Sequence, residues 1–274
     1  MRAYTYIIPV SLLLAGGMAV VGLERQGGDG MTVASDQPPR NPILPTTPLP
    51  PLPPLDLSDM RLWNWAGKWH GSNWTNGMSP LPWMFDHIRK GKRGDVELFL
   101  DQAGAPELAA QNGTAAASRG LWEADVTLPQ LRDGLVVAPL WLYDAASKDE
   151  VDFELAGRNG LDVTLHGARA GGMGQDQFRL FAGRDMSGER HRFGIKLDEA
   201  TGYVEMYVDG VRVYRWDRGQ AAVFPAKPLK PLIEMWAADP NNPGFVGWVG
   251  RWPGLASGER LTMTVHGYRY TPLP

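Results

Sequence analysis

Short runs of alternating apolar and polar residues dominate the chain after about residue 59. In one run, Trp122, Ala124, Val126 and Leu128 alternate with Glu, Asp and Thr, and residues 261–265 repeat the pattern. A period of two places the apolar residues on one face of an extended strand. No helical stripe of comparable strength interrupts these runs, so the pattern predicts a mostly β domain.

Turn residues separate the predicted strands. Asp209 and Gly210 join the runs Tyr203–Val208 and Val211–Trp216, and a two-residue link of this kind is typical of a type I′ hairpin. Many short strands between Gly, Pro and Asp turns favour an all-β fold, a two-sheet antiparallel β-sandwich of the jelly-roll type. One face of such a sandwich can curve into a concave substrate cleft.

The N-terminus resembles an export signal. Arg2 precedes an uncharged apolar stretch from Tyr4 to Leu23, which ends at Glu24 and Arg25. Gly17-Met18-Ala19 offers small residues for cleavage, while ~20 apolar residues also suffice to span a bilayer. We therefore predict a signal peptide or membrane anchor over residues 1–25. Both alternatives place the domain outside the cytoplasm: secreted, periplasmic or anchored to the outer side of the cytoplasmic membrane.

A proline-rich segment follows, and we predict a linker over residues 26–58. Nine prolines lie between Gln37 and Leu55, which favours extended polyproline II structure. At ~3.1 Å per residue such a spacer could hold a domain roughly 50 Å from a membrane. A remnant without structure after signal cleavage is the alternative. The remaining residues, 59–274, form the predicted catalytic domain.

Composition excludes several function classes. The net charge of −3 and the lack of a long basic run argue against a nucleic-acid partner. The absence of Cys excludes disulfides and thiolate chemistry, and five His argue against a His-rich metal centre. A structural calcium bound by oxygen atoms would leave no such mark. We expect a monomer that needs no cofactor.

Three carboxylates alternate with apolar residues in the segment Asp149–Leu155. On a strand, Glu150, Asp152 and Glu154 share one face, and the intervening Val and Phe point into the core. Like charges on one face repel, so stability alone would rarely favour this arrangement. The cost of the arrangement suggests a function. A solvated acidic strand or a calcium site is the alternative reading of these residues.

The spacing of the acids suits retaining glycoside hydrolysis. Cα atoms four residues apart on a strand are about 13 Å apart, and side chains that lean together can approach the ~5 to 5.5 Å required between nucleophile and acid. The two carboxyl groups need different pKa values. Asp152, between them, could hold one Glu ionised and raise the pKa of the other.

The sequence resembles glycoside hydrolase family 16, and within it the bacterial lichenase-like enzymes. The segment from Glu150 to Glu154 matches the shorter form of the family signature, Glu-x-Asp-x-Glu. The resemblance implies that Glu150 is the nucleophile, Asp152 the assisting acid and Glu154 the general acid/base. Further segments match in the same order: Gly120-Leu121-Trp122-Glu123-Ala124, Ala138-Pro139-Leu140-Trp141-Leu142, Tyr207-Val208-Asp209-Gly210, Ile233-Glu234-Met235-Trp236 and Trp248-Val249-Gly250.

The same resemblance gives a set of substrate-binding candidates. Trp236 and Trp248 would line the cleft, because indole faces stack on pyranose rings, and Trp141 and Tyr143 are further aromatic candidates. His166 ends an alternating strand shortly after the acids, where the family often carries a polar residue that faces the sugar; a histidine with its hydrogen bonds satisfied within the sandwich is the alternative. With eleven Trp in the chain, core packing is the alternative for each aromatic residue.

Departures from the lichenases concern the substrate. Glu234 stands where lichenases have Asn, and residues 144–148 form a short loop without the Trp that lichenases carry there. Their Glu-x-Arg segment is replaced by Ala115-Ala116-Ala117-Ser118. We therefore predict a retaining endo-glycosidase that cuts a β-linked glucan-like polysaccharide, either a β-1,3/1,4-glucan or a related exopolysaccharide. The alternatives are a transglycosylase with the same residues and a non-catalytic carbohydrate-binding sandwich.

Overall fold

The structure is a computed structural model that describes residues 41–58, 60–62, 68–91, 94–110, 116–169 and 171–274. The predicted signal peptide or anchor lies outside the described residues, as does the first part of the linker. Of the residues with predicted roles, all nine site candidates lie inside them.

Within the described residues the chain forms fifteen strands, a single turn of 3-10 helix over Phe85–His87 and one α-helix. The strands are β1 (Arg61–Leu62), β2 (Trp69–Gly71), β3 (Ile88–Lys90), β4 (Val96–Leu100), β5 (Glu107–Ala110), β6 (Arg119–Thr127), β7 (Leu135–Tyr143), β8 (Glu150–Ala156), β9 (Leu161–Arg169), β10 (Gly172–Leu180), β11 (Arg190–Asp198), β12 (Tyr203–Val208), β13 (Val211–Asp217), β14 (Lys230–Ala237) and β15 (Leu261–Thr271). The helix α1 spans Pro243–Val249.

Two sheets pack face to face. The first has the order β1-β2-β5-β14-β7-β8-β9-β10 and the second has the order β13-β12-β11-β6-β15-β4-β3. Every pairing is antiparallel except that between β1 and β2. The prediction of a two-sheet antiparallel sandwich is confirmed.

The core between the sheets follows the alternation in the sequence. Val151, Phe153 and Leu155 of β8 are fully buried, and the Phe153 ring lies 5.3 Å, between centroids, from that of Phe193 on β11. This packing orients the whole strand, because side chains on a strand point alternately to its two faces. The three acids of β8 therefore lie on the opposite, outer face of the eight-stranded sheet.

The predicted hairpin forms between β12 and β13. Asp209 and Gly210 have φ angles of 52° and 79°, in the left-handed region that a type I′ turn requires at both positions. Val208 pairs with Val211 across the turn. The Asp209 carboxylate also accepts a hydrogen bond from the Arg192 backbone N–H at 2.8 Å, which ties the turn to β11.

The helix α1 was not anticipated from the sequence. It is only seven residues long and contains two glycines, so its residues show no helical stripe. Its start follows ordinary capping rules: the Asn242 side chain accepts from the N–H groups of Gly244 and Phe245, and Pro243 occupies the first turn. No helix in the described part of the chain has the length and hydropathy to span a membrane.

Part of the predicted linker packs on the sandwich. A Cβ on Gly267 of β15 would lie 2.8 Å from the Leu52 Cβ, the Tyr268 N–H donates to the Pro53 carbonyl at 3.0 Å, and Arg192 donates to the Pro50 carbonyl. This strap, residues 49–57, crosses the outer face of the seven-stranded sheet. Because the strap lies against the domain, fewer residues of the predicted linker remain to act as an extended spacer. The domain boundary at residues 58 and 59 stays a prediction.

The strap should contribute measurably to stability through Leu52, which is 6% exposed. We expect Leu52→Ala to lower the free energy of unfolding by about 2 kcal/mol, since it removes a buried side chain and leaves a cavity. Urea denaturation followed by Trp fluorescence would measure this. Ile43→Ala is the matched control, because Ile43 is 93% exposed. Equal stability of the two variants would show that the strap is not bound in solution.

Candidate active site

The three acids of β8 lie on the outer face of the eight-stranded sheet, between β7 and β9. Glu150 and Glu154 are partly exposed, whereas Asp152 is 1% exposed. On one side β7 places Tyr143 opposite Glu150 and Trp141 opposite Asp152. On the other side β9 places His166, Thr164 and Asp162 opposite the three acids in turn. Polar side chains from β8 and β9 therefore share one patch of this face.

His166 is the cation closest to the predicted nucleophile in this patch. Its Nε2 atom lies 3.4 Å from Asp152 Oδ2 and 3.8 Å from Glu150 Oε1. Burial lowers the pKa of His166, but the neighbouring charges of Glu150 and Asp152 outweigh this effect and raise the pKa to about 9. The raised pKa favours the protonated imidazole, which faces both carboxylates.

Burial raises the pKa of Glu150 to about 8. The His166 cation opposes this rise, while Asp152 adds to it. Among the described residues neither Asp152 oxygen has a hydrogen-bond partner of good geometry, and the His166 ring is the cationic group that faces it, with Nε2 3.4 Å from Oδ2. His166 thus favours the ionised form of Glu150, the form that a nucleophile requires.

Glu154 has a different electrostatic environment. Burial raises its pKa well above the ordinary range, and the charges that act on it most strongly are the carboxylates Asp152, Glu150, Asp162 and Glu234. Neighbouring anions favour the protonated form, which a general acid requires. The pKa shifts go against the expectation that Asp152 holds one of the two Glu residues ionised. Asp152 raises the pKa of both Glu150 and Glu154, whereas His166 lowers that of Glu150.

The position of His166 leads to a pH prediction. Activity should rise with pH as Glu150 ionises and fall as Glu154 loses its proton. Without the cation, the pKa of Glu150 increases, so we expect His166→Gln to move the rising limb of the kcat/KM profile to higher pH by about one pH unit. His266→Gln, on the other sheet, should leave the limb in place. A rising limb that stays fixed or moves to lower pH in His166→Gln would contradict this assignment.

The aromatic candidates on β7 line the same patch. Trp141 and Tyr143 are both partly exposed, with ring centroids 5.4 Å apart. The Trp141 Nε1–H is buried and has no hydrogen-bond partner within the part of the chain that the structure describes. Burial, with the charge of Glu150, raises the pKa of Tyr143, which keeps its hydroxyl neutral. Their role in sugar binding stays a prediction that these positions support.

Trp236 and Trp248 differ in accessibility. Trp236 is 3% exposed, because its ring packs against Trp83, Phe245 and Trp248. Little of its face is open for a sugar to stack on, so core packing accounts for it better. Trp248, on α1, is only partly buried and donates from Nε1 to Asp162 Oδ2 at 2.8 Å. Of the two, Trp248 remains the candidate for the cleft wall.

Several residues of this face carried no motif in the sequence. Arg179 of β10 forms a bidentate ion pair with Asp162, at 2.7 and 2.6 Å. Glu107 of β5 lies directly opposite Glu234 of β14. Trp83 donates from Nε1 to Glu234 Oε2 at 2.9 Å and stacks on Trp74 with ring centroids 4.4 Å apart. Alternation along β5 places Glu107 on the same face as Ala109. The sequence around Glu107 does not show that Glu234 lies opposite it.

The patch also offers ligands for a cation. One atom each from Glu150, Asp152 and His166 lies within 4.8 Å of the others. The raised pKa of His166 works against metal binding, because a nitrogen must lose its proton to become a ligand. Protonation of His166 therefore competes with the binding of a cation by these three residues. The structural calcium considered above stays untested.

Comparison with known proteins was made against this geometry. The model of the family "Glycosyl hydrolases family 16" matches residues 66–250, more than half of the chain. The chain belongs to glycosyl hydrolases family 16. The matched region contains β8 with its three acids and ends at Gly250, directly after α1, so it covers the residues that form the concave face.

Curated and solved relatives share the fold. A β-glucanase of Acetivibrio thermocellus is 24% identical over 200 residues, which are 69% of this chain and 55% of that protein. The structure of a Bacillus licheniformis β-glucanase matches with a TM-score of 0.60 at 18% identity, over 77% of this chain and 95% of that one. The Crh5 transglycosylase in complex with NAG gives a TM-score of 0.54 at 20% identity, over 83% and 89%. The chain spans about half the length of the curated relative.

Proposed function

We propose that the domain is a retaining endo-β-glucanase that hydrolyses a β-linked glucan-like polysaccharide. The observation that carries the proposal is the placement of Glu150, Asp152 and Glu154 on the concave face, with His166 beside the first two. The electrostatic environments of the two Glu residues differ in the sense that the reaction needs. Membership of glycosyl hydrolases family 16 supports the same reaction class.

The proposed reaction has two steps. In the first, Glu154 gives its proton to the glycosidic oxygen while the ionised Glu150 attacks the anomeric carbon, so that a glycosyl ester forms and the leaving sugar departs as an alcohol. In the second, Glu154 takes a proton from water, which attacks the anomeric carbon and releases Glu150. Each carboxyl group ends in its original protonation state, and the product retains its anomeric configuration.

Each neighbour of the pair has a place in this scheme. His166 lowers the pKa of Glu150 and so favours the ionised form that attacks, while Glu150 and Asp152 raise the pKa of His166. Trp141 and Tyr143 would contact the sugar whose anomeric carbon is attacked, because they lie opposite Asp152 and Glu150 on β7. Asp162, held by Arg179, adds to the negative field that keeps Glu154 protonated.

The proposed location is outside the cytoplasm, in a secreted, periplasmic or membrane-tethered form. The apolar segment from Tyr4 to Leu23 supports it. The strap, which belongs to the described part of the linker, lies on the seven-stranded sheet and not on the sheet that carries the three acids. A tethered enzyme would suit the trimming of a polysaccharide made by the same cell. Mature protein found only in the culture supernatant would overturn the tether.

Reducing-end release from a substrate panel tests the proposed activity. The panel contains barley β-glucan, laminarin, xyloglucan, agarose and bacterial exopolysaccharides, and compares the wild type with Glu150→Gln and Glu154→Gln. Activity on a β-glucan that both variants lose is the expected result. Binding of a polysaccharide without any cleavage would favour the non-catalytic binding module instead.

Transglycosylation is a second candidate, because the chain shares its fold with the Crh5 transglycosylase. The same glycosyl-enzyme would form, but the hydroxyl of a sugar would replace water in the second step. Product analysis by mass spectrometry, with an added labelled acceptor oligosaccharide, separates the two outcomes. Labelled products longer than the acceptor would identify a transglycosylase, whereas unlabelled short products would identify a hydrolase.

A further inference from the structure

The strap crosses a single row of residues in the seven-stranded sheet. Arg192 of β11, Asp125 of β6 and Gly267 of β15 lie opposite one another in register, so they form a line across three neighbouring strands. The strap contacts this line at both ends. Arg192 donates a hydrogen bond to the Pro50 carbonyl, and a Cβ on Gly267 would lie 2.8 Å from the Leu52 Cβ. The strap therefore runs across the strands rather than along them.

The repeat of the strap matches the repeat of the sheet. Pro50 and Pro53, whose carbonyls accept hydrogen bonds, are three residues apart, and three residues make one polyproline II turn of about 9 Å. The donors are the Arg192 side chain on β11 and, at 3.0 Å, the Tyr268 N–H on β15. Only β6 separates these two strands, so they are about 10 Å apart. One turn of the strap thus spans two strand spacings, and equivalent carbonyls of two successive turns each meet a donor.

The donor on β11 is held in place by its neighbours on the same face. The Arg192 side chain is 8% exposed and lies 3.6 Å from Asp125 Oδ2, which also accepts a hydrogen bond from Arg190 at 3.0 Å. Burial of a guanidinium is costly unless its N–H groups are bonded. Polyproline II has no internal hydrogen bonds, so its carbonyls are available as acceptors. A buried Arg that donates to such a carbonyl is suited to the binding of this conformation.

The leucines of the strap have the same three-residue spacing as the bound carbonyls. Leu49 lies beside Gly210, where a Cβ would be 3.6 Å from both Leu49 methyl groups. Leu52 and Leu55 are 6% and 5% exposed, whereas the prolines between the leucines are exposed. Gly267 allows the strap backbone to approach, because a Cβ there would lie 2.8 Å from a strap carbonyl oxygen. The surface therefore selects Leu at every third position of an extended segment.

We propose that the outer face of the seven-stranded sheet is a recognition site for a polyproline II segment with Leu at every third position, and that its occupant is the strap of the same chain. The docking is reversible, so the linker has a short, docked form and a long, released form. Release adds residues 49–57 to the predicted spacer, about 28 Å at ~3.1 Å per residue. The site thereby sets how far the domain reaches. It is independent of the proposed activity, because the strap lies on the sheet that does not carry the three acids.

Binding of the strap as a separate peptide tests the recognition. A strap held in the same chain at a millimolar effective concentration is docked in most molecules only if the free segment binds with a Kd of about 0.1 mM or tighter. In the full chain, Leu52→Asp places a charge at a buried position and should release the strap. A fluorescent peptide of residues 48–57 should then bind about tenfold or more tighter than to the wild type, whose site is occupied. Fluorescence anisotropy measures both affinities.

Two changes should each weaken this binding by about tenfold or more. Gly267→Val, added to Leu52→Asp, fills the space of the strap backbone. Gly219→Val is the matched control, because a Cβ there meets nothing within 4 Å, and it should bind the peptide as before. A peptide with one additional Pro between Leu49 and Leu52 keeps the chemistry but has the wrong spacing. No binding at about 1 mM peptide, equal binding of the two peptides, or binding that Gly267→Val leaves unchanged would overturn the site.

A distance measurement on the intact strap keeps the proposal testable if Leu52→Asp does not fold. The chain has no Cys, so spin labels at Ile43→Cys and Ala200→Cys, both exposed positions, report where the linker lies relative to the domain. Double electron–electron resonance should give one narrow distance distribution in the wild type and in Gly219→Val. In Gly267→Val the distribution should become longer and broader, with the fold checked by circular dichroism. An unchanged distribution in Gly267→Val would overturn the docking.

Discussion

Glu150→Gln should lower kcat on the best β-glucan substrate by about 10⁴-fold or more, because the amide cannot form the glycosyl ester. Affinity for the polysaccharide should change little, since the shape of the cleft is kept. Initial rates of reducing-end release and affinity electrophoresis in gels that contain the polysaccharide would measure the two quantities. Binding that persists without hydrolysis would also show that the variant is folded.

A chemical rescue identifies the role of Glu150 directly. In Glu150→Ala, added azide can enter the space of the missing carboxylate and attack an activated β-glycosyl fluoride from that side. The product should be an α-glycosyl azide, with inverted configuration at the anomeric carbon. Glu199→Gln is the matched control. It removes a carboxylate at the turn between β11 and β12, in the seven-stranded sheet, and should keep wild-type activity. A β-glycosyl azide from Glu150→Ala would assign the nucleophile to another residue.

Glu154→Ala should lose about 10²–10⁴-fold in kcat on polysaccharides, where the leaving sugar needs a proton. On an aryl β-glycoside with an acidic phenol as leaving group, the first step needs no proton and should remain fast. The glycosyl-enzyme should then accumulate, because no base activates water for the second step. Burst kinetics followed by intact-protein mass spectrometry would detect the accumulated ester on Glu150.

The same variant allows an independent check with azide. Azide should release the accumulated glycosyl-enzyme of Glu154→Ala as a β-glycosyl azide, since two inversions give net retention. The falling limb of the pH profile, which reports the loss of the proton from Glu154, should disappear at the same time. A variant that is equally slow on substrates with good and poor leaving groups would contradict the role of Glu154 as the acid.

The two assignments depend on an asymmetry that His166 creates. Glu150 and Glu154 are both partly exposed acids on one strand, and their partial burial raises the pKa of each. The His166 cation lowers the pKa of Glu150, whereas the charges that act most strongly on Glu154 are carboxylates. The shift expected for His166→Gln is therefore the most direct test of how this site divides the two roles between similar residues.

The sequence by itself determined the features that depend on residues close together in the chain. Alternation along β8 places three acids on one face and three apolar residues in the core, because side chains on a strand alternate between its faces. The link between β12 and β13 follows from the tolerance of Asp209 and Gly210 for positive φ. These local rules also predicted the β class and the three acids proposed to be catalytic.

Some signals were local but were not recognised in advance. Leu49, Leu52 and Leu55 recur every third residue among the prolines, and three residues make one turn of polyproline II. This spacing gives the strap one apolar edge, so it can pack on a sheet. The short helix α1 had a capping signal at Asn242 and Pro243, but it is too short to show periodicity.

Only the tertiary structure decided which distant residues meet. The register of β9 against β8 sets His166 beside Glu150 and Asp152, and a shift by one residue would turn it away from them. The pairing of β5 with β14 brings Glu107 opposite Glu234, although each residue alone reads as an ordinary surface acid. Packing against Phe245 and Trp248 of α1 leaves Trp236 only 3% exposed. Periodicity assigns a residue to a face, but register and packing between distant strands select its neighbours.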